Sequence, residues 1–348
     1  MKNILFYALI LITLFACTPN KAEHVERAFY YWKNDEWQPT NKEDSLVRTL
    51  GIKKLYVKFF EVERNEVMGN IPTAKTQLHL YNAYDSITMV PTIYLRNEVF
   101  KKISNKGLDS LAGNVSFLIN KYCTDNGYYR GLNRVVNVSE YQMDCDWTPS
   151  TKDNYFYFLK KLKKISGKQI SCTLRLYPYK YPDKMGIPPV DKAMLMCYNL
   201  ISPLEDHTKN SILDINELSL YLKSADKYPL HLDIALPLYS WVQVYQNNHF
   251  AKLLYTDTKN IKAILKHEKP LWYEATRDTV INDFYLRTGD KIKIEETTPA
   301  QIQEAIALIK KNTDLDKNIT VSLFHLDQQQ LSRYSYEQIS AFYSGFTK

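Results

Sequence analysis

The chain has 348 residues, a formal net charge of +7 at neutral pH and 45% hydrophobic residues. This length allows one large domain or two small ones. The positive charges are spread along the sequence, and the run "KKLKK" near residue 160 is typical of a solvated helix face, so we predict no nucleic-acid partner. The cysteines show no CxxC spacing, which favours buried thiols over a zinc site or a disulfide framework.

The first residues predict an export signal. Residues 1–16 carry one lysine and then an apolar run that is too short to span a bilayer, which takes roughly 20 residues. Residues 14–17, "LFAC", resemble the lipobox of bacterial lipoproteins, in which the cysteine becomes the lipidated first residue. We therefore expect a signal peptide over 1–16, a lipid anchor on Cys17 and a polar tether over 17–25. The protein would then lie in the cell envelope, anchored to a bacterial membrane and facing the periplasm or the exterior; the alternative is an ordinary signal peptide that contains a cysteine.

Eight strand-like runs alternate with helical segments through the rest of the chain. The runs cover residues 26–32, 54–62, 87–95, 140–147, 169–177, 193–200, 230–239 and 319–327. Most are apolar nearly throughout, as are strands that are covered on both faces. The segments between them carry helix start and stop signals, such as Thr298 before Pro299 and Gly167 after an amphipathic run.

This alternation predicts an α/β fold, a (β/α)8 TIM barrel over residues 26–348. A doubly wound open sheet is the alternative, but that fold usually carries a glycine-rich phosphate turn, and this chain has 10 glycines and no GxGxxG. Residues 243–297 exceed one helix and one loop. We predict that they form a small β-rich insertion between the seventh and eighth strands, with turns at 277–278 and 288–290.

The ends of the predicted strands supply the candidate site residues, because barrel enzymes place their chemistry at the C-terminal ends of the strands. This rule selects Tyr31, Trp32, Glu61, Tyr94, Asp144, Asp146, Arg175, Tyr177, Tyr198, Asn199, Tyr239, Trp241, His325 and Asp327. Rings, carboxylates and an arginine suit a hydroxyl-rich ligand such as a sugar, since rings stack on C–H faces and charged groups bind hydroxyls. The histidines show no HxH or HExxH spacing, so we predict no metal and no cofactor.

The stretch "QMDCDW" on the fourth strand raises a specific question. Side chains alternate along a strand, so Asp144 and Asp146 point to the same face. Burying unpaired carboxylates is unfavourable, and this face must therefore meet water, a ligand, a metal or partner side chains.

Three stretches together resemble a known family. "QMDCDW", "MCYN" on the sixth strand and "LPLYSW" on the seventh are similar to the chitinase-like barrels of glycoside hydrolase family 18, and in particular to chitinase-like bacterial lipoproteins of uncharacterised function. The resemblance implies that Asp144 and Asp146 match two aspartates of the family's fourth-strand motif. Met196, Tyr198 and Asn199 match its sixth-strand trio.

The sequence departs from the family at one position. The family's proton-donating glutamate falls at Thr148, and threonine cannot act as a general acid. In a hydrolase, the charge of one of the aspartates Asp144 and Asp146 would keep the other protonated, and Tyr198 would orient the substrate. A second carboxylate would come from Glu61, Asp327 or Glu274. The substrate-binding residues would be Trp32, Glu61, Arg175, Tyr177, Asn199, Tyr239, Trp241 and Asp327.

Two other interpretations stay open. In the first, the barrel descends from a hydrolase and binds a carbohydrate without cleaving it. In the second, the aspartates are structural: Asp144 pairs with Arg175 on the next strand, and Asp146 caps the helix that starts near Ser150. All three interpretations use the same strand ends.

Overall fold

A computed structural model describes residues 21–33, 36–37, 39–78, 86–124, 138–205, 207–223, 227–256 and 258–348. The predicted signal peptide, Cys17 and the first part of the tether lie outside these residues. The strands are β1 (His24–Tyr31), β2 (Glu36–Trp37), β3 (Lys54–Asn65), β4 (Gly69–Thr73), β5 (Gln77–Leu78), β6 (Thr88–Leu95), β7 (Glu140–Asp144), β8 (Gln169–Leu174), β9 (Lys192–Met196), β10 (Leu232–Pro237), β11 (Ser240–Gln246), β12 (His249–Leu254), β13 (Leu265–Lys269), β14 (Trp272–Ala275), β15 (Thr279–Ile281), β16 (Phe284–Leu286), β17 (Lys291–Glu296) and β18 (Asn318–Phe324).

The helices connect these strands. They are α1 (Asn41–Thr49), α2 (Asn105–Thr124), α3 (Lys152–Ser166), α4 (Leu176–Lys180), α5 (Pro182–Met185), α6 (Ile215–Leu222), α7 (Thr258–Lys262), α8 (Pro299–Asn312), α9 (Gln328–Leu331) and α10 (Tyr336–Ser344), with a 3₁₀ turn at Asn97–Phe100. In the described part of the chain, none of the helices has the length and hydropathy needed to cross a bilayer.

Eight parallel strands close into a barrel in the order β1, β3, β6, β7, β8, β9, β10, β18. Closure is made by β1, which pairs in parallel with β18 on one side and with β3 on the other. The prediction of a (β/α)8 barrel is confirmed, and the alternative of an open sheet is wrong. Each of the eight strand-like runs contains one barrel strand. Their side chains are mostly buried, since the interior and the helices cover both faces.

Residues that the sequence marks as helix ends do cap helices in the structure. Thr298 and Gln301 form a capping box at the start of α8, with Pro299 as the first helical residue. Helix α3 ends at Gly167, whose φ of 63° is in the left-handed region that favours glycine. These devices fix where each helix leaves the barrel rim and where it ends.

A second sheet lies between β10 and β18. Its five antiparallel strands have the order β12, β11, β17, β14, β13, and the β15–β16 hairpin lies beside them in sequence. The sheet has a small core of its own, built from Val242, Val244, Leu254, Ile261, Ile264, Ala275, Leu286, Ile292 and Ile294. Because it follows the C-terminal end of β10, this insertion sheet is attached at the same end of the barrel as the candidate site residues.

Candidate functional site

Asp144 is the last residue of β7 and points into the upper end of the barrel. Its side chain is nearly buried, with 6% of the residue exposed, and Oδ1 accepts a hydrogen bond of 2.6 Å from the Thr173 hydroxyl on β8. Burial, and then the charge of Asp146, raise the pKa of Asp144 to about 6. This carboxyl group therefore holds its proton in mildly acidic solution.

Asp146 has a different environment two residues later. Arg175 donates two hydrogen bonds to it, from Nε to Oδ1 at 2.6 Å and from Nη2 to Oδ2 at 3.3 Å. The ion pair is a two-point contact at the rim, and it neutralises Asp146. The structural interpretation from the sequence is thus wrong in detail: Arg175 hydrogen-bonds to Asp146 rather than to Asp144. Nor does Asp146 cap α3, whose N-cap residue is Thr151.

Thr148, at the position expected for a proton donor, belongs to the turn before α3. Its Oγ1 lies 3.0 Å from the hydroxyl of Ser150 and 3.1 Å from that of Thr151. Its backbone N–H donates to Thr151 Oγ1 at 3.0 Å. The hydroxyl of Thr148 is therefore part of a helix-start network, and it supplies no acid chemistry.

Buried polar groups lie inside the barrel below the rim. The Tyr30 hydroxyl donates to Gln142 Oε1 at 2.8 Å, while Gln142 Nε2 and the Tyr198 hydroxyl have no hydrogen-bond partner among the described residues. Burial and the negative charge of Asp144 both raise the pKa of Tyr30, and they act in the same direction on Tyr198. Most buried polar groups in proteins are hydrogen-bonded, so unpartnered donors near Asp144 indicate a place for a polar ligand or solvent.

Aromatic rings cluster at the upper end of the barrel in what we call the aromatic wall, with Phe324 at their centre and Tyr30, Tyr198 and Tyr239 buried. The centroid of its ring lies 5.6 Å from Tyr30, 5.8 Å from Trp32, 5.5 Å from Tyr198 and 5.6 Å from Tyr239. Phe324 is the last residue of β18 and is not among the site residues predicted from the sequence. Strand parity could have found it, because Phe324 alternates with the buried Leu323.

The insertion sheet continues this wall. The ring of Trp241, on β11, lies 5.5 Å from that of Tyr239, and the indole N–H of Trp241 donates to the buried carboxylate of Glu295. The Tyr239 hydroxyl donates to the side-chain oxygen of Asn199, a residue with φ of 52°. The loop after β9 and the insertion sheet therefore hold Tyr239 between them.

A β-bulge places Glu61 at the rim. In the β3–β6 pairing Lys58 faces Thr92 and Phe60 faces Ile93, so one residue of β3 is unpaired. Lys58 and Glu61 thereby come to the same face and form an ion pair of 2.9 Å. Without the bulge, residues three apart on a strand would point to opposite faces.

Tyr94 lies on β6, the strand next to β7, and is partly exposed. Burial, followed by the charges of Asp146 and Asp144, raises the pKa of Tyr94 to about 12, so it stays a neutral hydroxyl donor at neutral pH. The register pairs Tyr94 with Asp144 directly.

Other predicted residues have local roles. Asp327 caps α9 by accepting from the Gln330 N–H at 2.9 Å. Glu274 forms an exposed ion pair with Lys291 on the insertion sheet. Tyr177 lies on α4, where its hydroxyl contacts Lys184 Nζ at 2.8 Å.

The structure brings most of the candidate set together in two groups. Glu61, Tyr94, Asp146 and Arg175 are near Asp144, together with Thr173, which was not predicted. Trp32, Tyr198, Asn199, Tyr239 and Trp241 are connected to one another through the rings of Phe324 and Tyr239. No three His, Cys, Asp or Glu side chains lie close enough to bind one metal ion in the parts of the chain that the structure describes.

Comparison with solved structures identifies the type of barrel. The chain is similar to the spore cortex-lytic enzyme SleL of Bacillus cereus, with 13% identity over 94% of this chain and 75% of that one and a TM-score of 0.52. It is similar to a chitinase of Chromobacterium violaceum, with 12% identity over 90% and 98% and a TM-score of 0.52. The fold is a chitinase-like (β/α)8 barrel. YKL-39, with 9% identity over 93% and 100% and a TM-score of 0.50, shares this chitinase-like barrel.

These similarities are in structure rather than in sequence. No protein-family model matches the chain, and no curated protein matches it. The barrel is glycoside-hydrolase-like in fold, and its chemistry has to be argued from its own residues.

Proposed function

We propose that this chitinase-like barrel binds a poly- or oligosaccharide at its mouth without cleaving it. The observation that carries the proposal is the combination of the aromatic wall with Tyr198 Oη and Gln142 Nε2, near Asp144, which find no hydrogen-bond partner among the described residues. Rings of this kind stack on the C–H faces of sugars, and buried donors and acceptors below them bind hydroxyls. The site takes no metal or cofactor in this proposal.

The distribution of acids supports binding over cleavage. Glycoside hydrolysis uses two carboxyl groups, one as acid and one as nucleophile or base. Here Thr148 replaces the expected acid, and Asp146 is neutralised by Arg175. Asp144 is left as the one protonatable carboxyl of the motif. Among the structural relatives, YKL-39 was crystallised in the presence of chitooligosaccharides, which supports a carbohydrate ligand by analogy of fold.

Hydrolysis of glycosidic bonds is the second candidate, and one observation favours it. A pKa of about 6 would let Asp144 donate a proton in mildly acidic solution. This mechanism needs a second carboxylate. Glu61 is the candidate that lies close enough for its charge to raise the pKa of Asp144.

A glycan panel separates the two candidates. The purified chain is incubated with immobilised oligosaccharides and with the same sugars in solution, and both retention and released products are measured. We expect retention without products. Asp144→Asn and Trp32→Ala should each weaken retention by about tenfold or more, the loss expected when a charged hydrogen bond or a stacked ring is removed.

Asp109→Asn serves as the matched control, because Asp109 lies on the outer helix α2 and pairs there with Lys161. It should leave retention unchanged. Products that disappear in Asp144→Asn would establish hydrolysis instead. If no glycan is retained and none is cleaved, the carbohydrate proposal fails.

We also propose that Cys17 carries a lipid and holds the barrel on a bacterial envelope membrane, facing the periplasm or the exterior. The support is the apolar run that ends in "LFAC". Mass spectrometry of the N-terminal peptide should show a diacylated Cys17. Cys17→Ser should move the protein from the membrane fraction to the soluble fraction, and a membrane-bound Cys17→Ser chain would contradict the anchor.

A further inference from the structure

At the end of the barrel opposite the site, acidic and basic side chains differ in how they are paired. All eight barrel strands are parallel, so their first residues lie at one end, which we call the floor. The connecting helices run back along the barrel and end there too. The chain enters the barrel at this end, since β1 begins with His24.

Every floor carboxylate that we identify in the described chain has a cationic partner. The pairs are Glu23 with Lys317, Glu26 with Lys54, Glu140 with Lys192, Asp191 with Lys163, Asp233 with Lys192 and His231, Asp314 with Lys227, and Asp316 with His231. These contacts leave the acidic side of the floor neutralised.

Five lysines of the floor have no carboxylate within ion-pair distance among the described residues. These floor lysines are Lys53, Lys164, Lys168, Lys223 and Lys311. Lys164 and Lys311 lie in the last turns of α3 and α8, where a positive charge stabilises a helix end. Lys223 is the C-cap residue of α6 and has the same role. Lys53 and Lys168 lie outside helices, so helix stabilisation does not account for these two.

The proposed lipid anchor would bring this face to a membrane. Cys17 precedes His24 by seven residues. Even a fully extended chain of that length spans only about 25 Å. A barrel attached through Cys17 is therefore held with its floor end towards the lipid.

We propose that the floor lysines bind the anionic headgroups of the bilayer that carries the anchor, so that the mouth points away from the membrane. This inference rests on the proposed lipidation of Cys17 and not on the glycan proposal. Lysines near an anionic surface are attracted within a Debye length, about 10 Å at 0.1 M salt. The glycan site at the mouth would then be open to soluble or cell-wall sugars.

Fluorescence transfer in proteoliposomes tests this orientation. The lipidated full chain is labelled either at Asn318→Cys, on the floor, or at Val67→Cys, at the tip of the β3–β4 hairpin on the mouth side. Cys123, Cys145, Cys172 and Cys197 are buried and should stay unlabelled. With acceptor dye in the headgroups of phosphatidylglycerol vesicles, transfer from the floor label should exceed transfer from the tip label several-fold.

A triple variant isolates the charge contribution. Lys53→Gln, Lys223→Gln and Lys311→Gln together should reduce transfer from the floor label, as should phosphatidylcholine vesicles or roughly 0.5 M salt, where screening is strong. The matched control replaces three exposed lysines of the mouth end by glutamine; these are Lys42, Lys101 and Lys106. The control should leave transfer unchanged.

Two results would overturn the inference. Equal transfer from floor and tip, or a triple variant that behaves like the parent, would show that the floor lysines do not orient the barrel. A chain that does not float with vesicles would refute both the anchor and the orientation. Retention on the glycan panel is a separate measurement, so failure of the glycan proposal is distinguishable from either result.

Discussion

At the scale of single residues, the two neighbouring aspartates avoid the cost of an unpaired buried charge in different ways. Asp146 leaves the strand and forms a two-point ion pair with Arg175 at the rim. Asp144 stays inside, where one hydroxyl contacts it and burial favours its neutral form. The sequence predicted that one charge would raise the pKa of the other, but burial is the larger cause.

The raised pKa of Asp144 makes stability depend on pH. The pKa is about 6 in the folded chain and 3.8 as its ordinary value, so the folded state holds the proton more tightly. The contribution of Asp144 to stability is therefore greatest below about pH 4 and is lost as pH rises from about 4 to 6. Asp144→Asn removes this loss and should raise the free energy of unfolding by up to about 3 kcal/mol at pH 7, with little change at pH 4.

Urea unfolding of both chains at pH 4 and pH 7 measures this difference. The asparagine keeps an oxygen that can accept from Thr173, so the hydrogen bond is retained. An Asp144→Asn chain that is destabilised equally at both pH values would contradict the raised pKa of Asp144.

At the scale of elements, helix ends and strand irregularities decide which side chains reach the site. The bulge in β3 brings Glu61 and Lys58 to one face. The left-handed residue Gly167 stops α3 and returns the chain to the floor for β8. The alternation of residues along β3 does not predict the bulge. The end of α3, in contrast, follows directly from a glycine after an amphipathic run.

Two glycines of neighbouring helices should respond to alanine with opposite signs. Gly167 has φ of 63°, so Gly167→Ala should destabilise the chain by about 1 kcal/mol. Gly113, inside α2, has no atom within 4 Å of the position of an added Cβ. Gly113→Ala should stabilise by about 0.5 to 1 kcal/mol, because alanine has the better helix propensity. Thermal unfolding measures both, and the same sign for the two would contradict the assigned backbone conformations.

The insertion sheet is joined to the barrel through a buried carboxylate. Glu295 is fully buried and pairs with Lys293 at 2.9 Å. It also accepts from the N–H and hydroxyl of Ser211, both at 2.8 Å, and from the side chains of Gln243 and Trp241. This one side chain fixes the loop after β9 against the insertion sheet.

Removing the carboxylate of Glu295 should therefore destabilise the chain strongly. Glu295→Ala breaks a fully buried ion pair and removes the shared acceptor of Ser211, Trp241 and Gln243, and we expect a loss of about 3 to 5 kcal/mol in the free energy of unfolding. The double variant Lys293→Met with Glu295→Leu should recover part of this loss. Glu274→Ala, which breaks the exposed pair with Lys291, should change stability little. Urea unfolding with limited proteolysis of residues 200–213 checks the series, and equal effects of the two glutamates would contradict it.

At the scale of the whole molecule, a network of charges closes the floor. Asp233 on β10 contacts Lys192 on β9 at 3.0 Å and His231 at 3.1 Å, and it accepts from the Thr320 N–H on β18 at 2.6 Å. Burial alone would raise the pKa of Asp233, but the hydrogen bond from His231 and the charge of Lys192 outweigh it and lower that pKa to about 2. Three adjacent barrel strands are thereby joined.

His231 makes this closure sensitive to pH. Its hydrogen bond to Asp233 is the largest cause that raises the pKa of the imidazole above its ordinary value. The stabilisation that protonated His231 provides is complete below the ordinary pKa of 6.5 and is lost as pH rises through the pKa of the folded state. His231→Gln should therefore destabilise the barrel at pH 5.5 and have a smaller effect at pH 9, measured by urea unfolding. A larger effect at pH 9 would contradict the sign of the shift.

The barrel was predictable because its signal is repeated eight times. Each strand is a short apolar run and several helices have their own cap, so local errors do not change the count. The site was predictable only in outline. The rule of strand ends found Asp144, Tyr198 and Tyr239, but it missed Phe324 and placed Tyr177 in the site, whereas Tyr177 lies on a helix beyond it.

The sequence by itself determined the eight alternating strands and helices, several helix ends and the two aspartates two residues apart, because these follow from periodicity and local backbone chemistry; closure of the barrel is made by the pairing of β1 with β18 and β3. Only the tertiary structure decided that Arg175 neutralises Asp146 and leaves Asp144 protonatable, and which floor lysines have a carboxylate partner among the described residues. The physical reason is that charge pairing and burial depend on distances between strands far apart in the chain, which no local pattern records.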